Sequence, residues 1–128
     1  NLVIGATRNW CKTVVEWNLS SNPELKPYTE RGGCKNCLGA VTIDKNKVSY
    51  NPAYYVIAHA AKFVRPGSVR IESTLSTDLP NVAFKTPEGK TVLIVLNNAT
   101  AIRIFFVGYQ QKTVNLLLNP QAVATLVW

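Results

Sequence analysis

Glu16, Trp17 and Asn18 place a carboxylate, an indole and an amide side by side, directly after the β-branched run Thr13-Val14-Val15. β-Branched residues favour strands, so the pattern predicts a strand that ends at Trp17. Such an ending either closes one end of a core or lines the mouth of a site. Because successive strand residues point to opposite faces, Glu16 and Trp17 are not expected to act together. We expect Glu16 to be a structural acid that bonds the backbone or a basic partner.

Two of the three cysteines form the pattern Cys34-Lys35-Asn36-Cys37 between glycines. A structural zinc site needs about four ligands, and the remaining candidates, Cys11 and His59, fall in segments that read as helical. No helix follows the pattern as it would in a thioredoxin-like site. A loop disulfide is therefore favoured, with free thiols and a metal site as the alternatives, and no metal or cofactor is predicted. A disulfide would indicate an exported protein. Cys11 is expected to be a small buried side chain.

Three more residues with functional side chains lie in one predicted helix. His59 stands among alanines without a nearby carboxylate or second ligand in sequence, which favours a structural histidine over a catalytic one. Tyr54 and Tyr55 are interpreted as packing between the helix and the following β region, with a sugar platform as the alternative.

The chain of 128 residues is 47 % hydrophobic and only 16 % charged, which is typical of a globular domain. Its net charge of +7 raises the question of nucleic acid, but the basic residues are spread one at a time and no nucleic-acid-binding motif is present. We therefore predict no nucleic-acid partner. No stretch reaches the roughly 20 apolar residues of a membrane helix, and the first residues do not resemble a signal peptide.

The pattern of elements changes near residue 65. Before it, we predict helical character over residues 7–15 leading into the strand, a polar loop over 20–39, a strand over 40–43, a turn over 44–47 and a helix from Asn51-Pro52 to Val64. Loops as long as residues 20–39 tend to be functional. After Ser68 the chain alternates as an antiparallel β region, with a hairpin turn at Pro87-Glu88-Gly89. One strand between two helices cannot close a barrel, so the first half is predicted to be the end of something larger.

Five stretches resemble, in this order, the C-terminal part of glycoside hydrolase family 30, the glucosylceramidase-like family, and especially its microbial β-1,6-glucanase-like members. They are VVEWNL, GGCKNCLGAVTI, NPAYYVIAHAAKFVRPGSVRI, LPNVAFKTPEGKTVLIVLNN and the closing VATLVW. The helix ending AKFVRPGS followed by KTPEGKTVLIVLNN is the most specific part, and the resemblance covers essentially the whole chain.

The resemblance implies a mixed α and β architecture. Residues 1–64 would form the C-terminal end of a (β/α)8 barrel, with the end of helix 7, strand 8, a long loop and helix 8. Residues 65–128 would form the strands of a mostly antiparallel β-sandwich, which in the family also takes strands from before the barrel. Active sites of such barrels lie at the carboxyl ends of the strands. Trp17 would then line the sugar pocket, Asn18 would contact a substrate hydroxyl, and the loop of Cys34 and Cys37 would lie beside the site.

The resemblance also implies a function: the C-terminal segment of a retaining β-glycosidase that hydrolyses β-glucosidic bonds. In the family the two catalytic carboxylates lie on strands 4 and 7, which precede residue 1. No catalytic residue is therefore expected in this chain, and the segment alone is predicted to be inactive. Its expected partners are a β-glucoside or β-glucan substrate, through the parent enzyme, and either the rest of that enzyme or a second copy. The parent is expected to be secreted or periplasmic.

An alternative function is a carbohydrate-binding or scaffolding β-sandwich module that works alone. It would need exposed, coplanar aromatic side chains, for which the candidates are Phe105, Phe106 and Tyr109. The alternation of this strand predicts that at least one of the three lies in the core.

Overall fold

The computed structural model describes all 128 residues and contains two helices and nine strands. They are α1 (Leu2–Arg8), β1 (Ser20–Ser21), β2 (Val41–Asp44), β3 (Lys47–Tyr50), α2 (Pro52–Ala61), β4 (Val69–Ile71), β5 (Asn81–Lys85), β6 (Thr91–Leu96), β7 (Arg103–Tyr109), β8 (Lys112–Leu118) and β9 (Val123–Val127). The chain divides into two compact units. The first unit combines Asn1–Lys12 with His59–Trp128, and the second is Thr13–Ala58. Neither helix is long and apolar enough to cross a membrane.

The first unit is built on an antiparallel four-stranded sheet in the order β4-β5-β6-β9. All six residues of β6 are buried, as expected for a central strand that is covered on both faces. Val82 and Phe84 of β5 pair with Ile94 and Val92 of β6, so these four side chains share one face. That face forms the main core, together with Ile4 of α1 and the partly buried Ala60, Phe63 and Val64 that end α2 or follow it.

The opposite face of this sheet looks towards a separate two-stranded sheet, β7–β8. A cavity of about 610 Å³ lies between the two sheets, lined by Leu93 and Val95 on one side and by Phe105, Val107 and Tyr109 on the other. Two strands cover four only in part, which leaves this inter-sheet cavity. The predicted antiparallel β region is confirmed. Its four-stranded sheet has helices on one face and the second sheet on the other.

Helix α1 differs from the sequence prediction, because it ends at Arg8 and does not continue to residue 15. Trp10 adopts a positive φ of 67°, and Trp10 N–H and Cys11 N–H donate to Thr7 O and Ala6 O. This Schellman arrangement closes the helix. The sequence did not predict this helix end, because the left-handed position is usually occupied by glycine and here it is a tryptophan. The Arg70 guanidinium covers the Trp10 ring, 3.9 Å from the ring centroid.

A clamp by Arg8 fixes α1 to the sheet. Its guanidinium donates to Ser73 Oγ at 2.9 Å, to Ser73 O at 2.9 Å and to Asn81 O at 2.7 Å. Hydrogen bonds from a charged group are stronger than neutral ones, so the helix is held at a defined place on β5.

The second unit contains a small three-stranded sheet in the order β1-β2-β3. The predicted strand through residues 13–17 is wrong: this segment forms no strand, since no other strand of the chain pairs with it. Instead, the short β1 pairs in parallel with β2. The predicted turn at 44–47 is shorter than expected, and β3 follows it as an unpredicted strand antiparallel to β2.

Helix α2 was predicted from Asn51-Pro52 to Val64 and ends three residues earlier, at Ala61. Phe63 N–H and Val64 N–H both donate to Ala60 O, so the chain continues as a tight turn towards Pro66. The mixed α and β class is confirmed. The assignment of residues 1–64 to a barrel, and the boundary between 64 and 65, concern a longer protein and stay predictions.

Candidate functional site

Trp17 and Asn18 lie in the irregular segment of the second unit, immediately before β1. Trp17 is 58 % exposed, so more than half of the residue is accessible to solvent. The backbone that follows it is held firmly, since Ala40 N–H donates to Asn18 O and Val41 N–H donates to Leu19 O, both at 3.0 Å. Hydrogen bonds to the start of β2 therefore position Trp17, although no strand contains it.

Gly39 allows this close approach of two backbone segments. A Cβ atom at Gly39 would lie 2.6 Å from Asn18 Oδ1 and 2.8 Å from the carbonyl carbon of Ser20. The Asn18 side chain thus packs against Gly39, and its Oδ1 is buried without a hydrogen-bond partner. Gly39 is held in turn by its own N–H, which donates to Ser21 Oγ at 3.3 Å. Any side chain at residue 39 would displace Asn18 or Ser20.

Asn51 holds the other side of this junction. Its Nδ2 donates to Gly39 O at 2.7 Å and to Thr42 Oγ1 at 2.9 Å. Asn51 was predicted as the N-cap of α2, and its backbone oxygen does accept from Tyr54 N–H. Its amide nitrogen, however, ties the start of α2 to the residue beneath Asn18, a role that the sequence did not indicate because the contact spans twelve residues.

The loop between β1 and β2 contains a disulfide between Cys34 and Cys37, with Cα atoms 5.4 Å apart. Further local contacts add to this link. Lys26 N–H donates to Asn22 Oδ1 at 2.8 Å, and Lys35 Nζ lies 2.6 Å from Glu30 Oε2. The ion pair is exposed and contributes little stability, so the disulfide is the main covalent constraint on this loop.

Three predictions about single residues have different outcomes. Glu16 is exposed and makes neither of the two ion pairs in the structure, so the expected acid that bonds the backbone or a basic partner is wrong. Cys11 is an exposed free thiol and not a buried side chain, because the chain has already left α1. His59 Nδ1 lies 2.9 Å from Thr125 Oγ1, which joins α2 to β9 within the first unit.

Tyr54 and Tyr55 form a cluster with Tyr50 of β3, a residue that the sequence did not single out. Their ring centroids lie 4.4 Å (Tyr50 to Tyr54), 6.5 Å (Tyr50 to Tyr55) and 5.4 Å (Tyr54 to Tyr55) apart. All three side chains are exposed. The predicted packing of Tyr54 and Tyr55 between the helix and the following β region stays a prediction, since the ring contacts seen here are with each other and with Tyr50. The unpredicted strand β3 explains why Tyr50 was missed.

The aromatic residues of β7 do not form the row that a stand-alone sugar-binding module would need. Phe106 is 69 % exposed, whereas the alternation of β7 turns Phe105 and Tyr109 to the opposite, partly buried face. The alternation therefore leaves one exposed ring of the three, and the structure gives this alternative function no platform on β7.

The acidic residues are scattered, and no group of three or more potential metal ligands comes together. Among the carboxylates, Glu88 has a pKa below its ordinary value, because the Thr86 hydroxyl and the turn backbone donate to it, and it is fully exposed. A general acid in a glycosidase needs the opposite, a raised pKa in an apolar environment.

Residues 67–126 match the family model described as the glycosyl hydrolase family 30 β-sandwich domain. The chain belongs to glycoside hydrolase family 30. It is 30 % identical over 103 residues to the endo-1,6-β-D-glucanase neg1 of Aspergillus fumigatus, an alignment that covers 76 % of this chain and 21 % of that protein. It is also 36 % identical over 87 residues to the lysosomal acid glucosylceramidase of Mus musculus, covering 66 % of this chain and 17 % of that one.

A solved family 30 structure, the endo-β1,6-glucanase BT3312, superposes on the whole chain with a TM-score of 0.87 at 30 % identity. It is matched over 29 % of its own length. The chain therefore spans between about a sixth and three tenths of these relatives. The predicted resemblance to the C-terminal part of a family 30 enzyme is confirmed.

Proposed function

We propose that this chain is the C-terminal segment of a retaining, glucosylceramidase-like β-glycosidase that hydrolyses β-glucosidic bonds. The observation that carries the proposal is the family 30 match over residues 67–126, together with the superposition of this whole chain on part of an endo-β1,6-glucanase. The segment would supply a pocket wall and sandwich strands. Residues 1–64 would be the end of the barrel, with the long loop and the last helix.

The catalytic carboxylates would come from elsewhere in the parent enzyme. Double displacement with retention needs two carboxyl groups about 5 to 5.5 Å apart, one as nucleophile and one as acid/base. Of the acids in this chain, Glu30 and Asp78 are engaged in exposed ion pairs, and Glu88 is an exposed turn residue held in its ionised form. We assign none of them a catalytic role.

Trp17 is the residue we assign to the sugar. An exposed indole presents an apolar face that fits the C–H face of a glucose ring. Asn18 is assigned to a substrate hydroxyl. Because its Oδ1 is buried against Gly39, the donating atom would be Nδ2. The cross-linked loop of Cys34 and Cys37 would border the same pocket, and its disulfide supports a secreted or periplasmic parent.

The rest of the parent chain is the proposed macromolecular partner. The inter-sheet cavity supports this assignment, since apolar side chains such as Leu93, Val95 and Val107 line a space of about 610 Å³ that two strands do not fill. Exposed Ile104 and Leu117, which pair across β7–β8, give the same sheet a second apolar surface for the rest of the enzyme or for self-association.

The first test compares the chain alone with the longer parent protein on an aryl β-glucoside and on β-1,6-glucan. We expect turnover only from the parent, with the product sugar released first in the β configuration as seen by NMR. Turnover by the 128-residue chain alone, or product released first as the α anomer, would contradict the proposal.

A second test addresses the pocket wall. We expect Trp17→Ala in the parent to lower kcat/KM on the aryl glucoside by about tenfold or more, because one stacking surface is lost. The melting temperature should change little, since Trp17 is 58 % exposed. Trp10→Ala, at a residue 73 % exposed in the first unit, is the matched control and should retain activity. Equal activity of wild type and Trp17→Ala would remove Trp17 from the pocket.

A further inference from the structure

We propose that the disulfide between Cys34 and Cys37 is a positioning device for the pocket wall. It holds Gly39 in place, and Gly39 in turn fixes the direction of Asn18 beside Trp17. Turnover by the parent enzyme then depends on the oxidised form of this loop. The inference rests on the proposed function, because it takes Trp17 and Asn18 to contact the sugar. It goes beyond that function in making the two cysteines positioning residues for the reaction.

The contact between Gly39 and Asn18 is the point where the loop meets the pocket wall. A Cβ atom added at Gly39 would lie 2.6 Å from Asn18 Oδ1 and 2.9 Å from the Cα atom of Ser20, so the two segments touch. Asn18 Oδ1 is buried there without a hydrogen-bond partner, so the direction of this side chain depends on packing against Gly39. A shift of Gly39 therefore turns the residue that we assign to a substrate hydroxyl.

The disulfide lies two residues before Gly39 in the sequence. Two residues of chain reach at most about 7 Å, so a movement of Cys37 is passed on to Gly39 through Leu38 alone. The bond to Cys34 spans a sequence separation of 3 and holds the two Cα atoms 5.4 Å apart. Cys37 therefore cannot move away from Cys34 while the bond is intact.

The other end of the cross-link is anchored by packing. A Cβ atom added at Gly33, which precedes Cys34, would lie 2.9 Å from both the backbone nitrogen and the backbone oxygen of Thr29. Thr29 Oγ1 donates to Arg31 O at 3.1 Å and closes the turn between them. The path from Thr29 to Gly39 is thus a series of close contacts with one covalent bond in it. All of these contacts are internal to the second unit, so we expect them to persist when the rest of the parent enzyme covers its surface.

The surroundings of the two cysteines are not those of a dithiol catalyst. A reactive thiol needs a lowered pKa, which a helix N-terminus or a neighbouring cation supplies. Residues 35 and 36 form a turn, and no helix follows before Pro52. The neighbouring cation, Lys35 Nζ, is paired with Glu30 Oε2 at 2.6 Å. The cross-link therefore acts through the loop that it holds.

Loss of the cross-link should change the rate more than the stability. A ring this small constrains few residues of the unfolded chain, so its contribution to the free energy of unfolding is modest. Displacement of a group that contacts substrate by about 1 Å, in contrast, can cost up to about a hundredfold in rate. The expected signature is a lower turnover in a protein that is still folded.

A dithiol such as dithiothreitol opens the cross-link reversibly. Its thiolate attacks one sulfur of the disulfide, the S–S bond breaks, and the other cysteine leaves as a thiolate that takes up a proton. The second thiol of the reductant then displaces the first cysteine from the mixed disulfide. The protein gains two electrons and two protons, and the dithiol becomes a cyclic disulfide.

The test uses the full parent protein and measures kcat, KM and the melting temperature with an aryl β-glucoside as substrate. The test variant is Cys34→Ser/Cys37→Ser. Cys11→Ser, at the exposed free thiol of the first unit, is the matched control. Wild type is assayed before reduction, after reduction by dithiothreitol and after reoxidation. The same two serine substitutions are also made in Trp17→Ala.

We expect kcat/KM of the serine double variant to fall about tenfold, with a small change in melting temperature. Reduced wild type should fall to the same level and recover on reoxidation, whereas the double variant should not respond to dithiothreitol. Cys11→Ser should keep the activity and the response of wild type. In Trp17→Ala the serine substitutions should change kcat/KM by less than about twofold, because residues that act together are not additive.

Wild-type kcat/KM in the serine double variant would overturn the inference. An equal loss with and without Trp17 would also overturn it, since the cross-link would then act on another part of the enzyme. If the double variant does not fold, the reduced wild type is the deciding measurement. Unchanged turnover of an enzyme that thiol titration shows to be fully reduced would contradict the inference.

The same measurements separate this inference from the proposed function. If Trp17→Ala loses activity and loss of the cross-link does not, the positioning role is wrong and the pocket wall stands. A fully active Trp17→Ala enzyme contradicts the pocket wall itself, and the positioning role with it.

Discussion

The two units of this chain are stabilised in different ways. The first unit buries whole strands, with all of β6 and three consecutive residues of β5 removed from solvent. In the second unit the buried residues are Ser21, Gly39 and Ala40, and every residue of β3 is exposed. Its order comes from backbone pairing, the Asn51 amide and a disulfide. A region held by hydrogen bonds and one covalent link can keep its aromatic side chains at the surface, because its order does not depend on burying them.

The largest expected effect tests the core of the first unit. Ile94 is 2 % exposed in the centre of β6, and Ile94→Ala should lower the free energy of unfolding by about 3 kcal/mol, from lost burial and a residual cavity. Ile43→Ala in the second unit, at a residue 44 % exposed, should cost less than about 0.5 kcal/mol. Urea unfolding of both variants measures the difference. A similar loss of unfolding free energy in the two variants would show that the second unit has a core that contributes as much stability as that of the first.

A smaller stability effect but a clear functional one is expected from Gly39→Ala. The new Cβ would meet Asn18 Oδ1 and the Ser20 backbone below 3.0 Å, so Asn18 and Trp17 must move. Displacement of about 1 Å can cost up to a hundredfold in rate, and we expect a fall of about tenfold to a hundredfold in kcat/KM of the parent on the aryl glucoside.

Gly5→Ala is the control for this substitution in the first unit. No atom lies within 4 Å of the added Cβ, and residue 5 is in the interior of α1. This change should stabilise the protein by about 0.5 to 1 kcal/mol and leave kcat/KM unchanged. A fully active Gly39→Ala enzyme would mean that the junction beneath Asn18 tolerates rearrangement.

The smallest expected effect is the pH dependence of the β5–β6 turn. The Thr86 hydroxyl donates to the Glu88 carboxylate and holds its pKa below the ordinary value of 4.5. A lowered folded-state pKa stabilises the folded protein above the ordinary pKa, and this contribution disappears as the pH falls through the lowered value. Glu88→Gln should therefore melt slightly below wild type at pH 7, and the difference should shrink as the pH is lowered through the acid range. A difference that does not shrink towards acid pH would rule out this ionic contribution.

The first unit was largely predictable because its signals are local. Strands β5 to β9 follow alternation and turn residues, and α2 follows apolar spacing between Pro52 and the later Pro66-Gly67. The end of α1 was missed because Trp10 takes a left-handed conformation, and its ring is covered by Arg70, a residue far away in sequence.

The second unit was predicted less well because its order depends on contacts between distant residues. Thr13-Val14-Val15 carries strand-forming residues, yet a strand requires a partner, and none is present in this chain. The short hairpin strand β3 has no buried face to produce a hydrophobic pattern. The sequence singled out Trp17 and Asn18, but not the packing of Asn18 on Gly39 or the bond from Asn51 to Gly39, since neither contact leaves a spacing signature.

The Arg8 clamp has a consequence for the order of events in folding. It joins residues 73 positions apart in sequence, and Ile4 of the same helix enters a core made by β5 and β6. During synthesis α1 emerges before the strands it docks on, because the whole second unit lies between α1 and β4 in the sequence. The first unit thus combines local hairpins with one contact between residues far apart in sequence, that of α1 with β5. Closing this long loop costs chain entropy before the contact can stabilise the fold. We infer that α1 docks late, onto a sheet that is already paired.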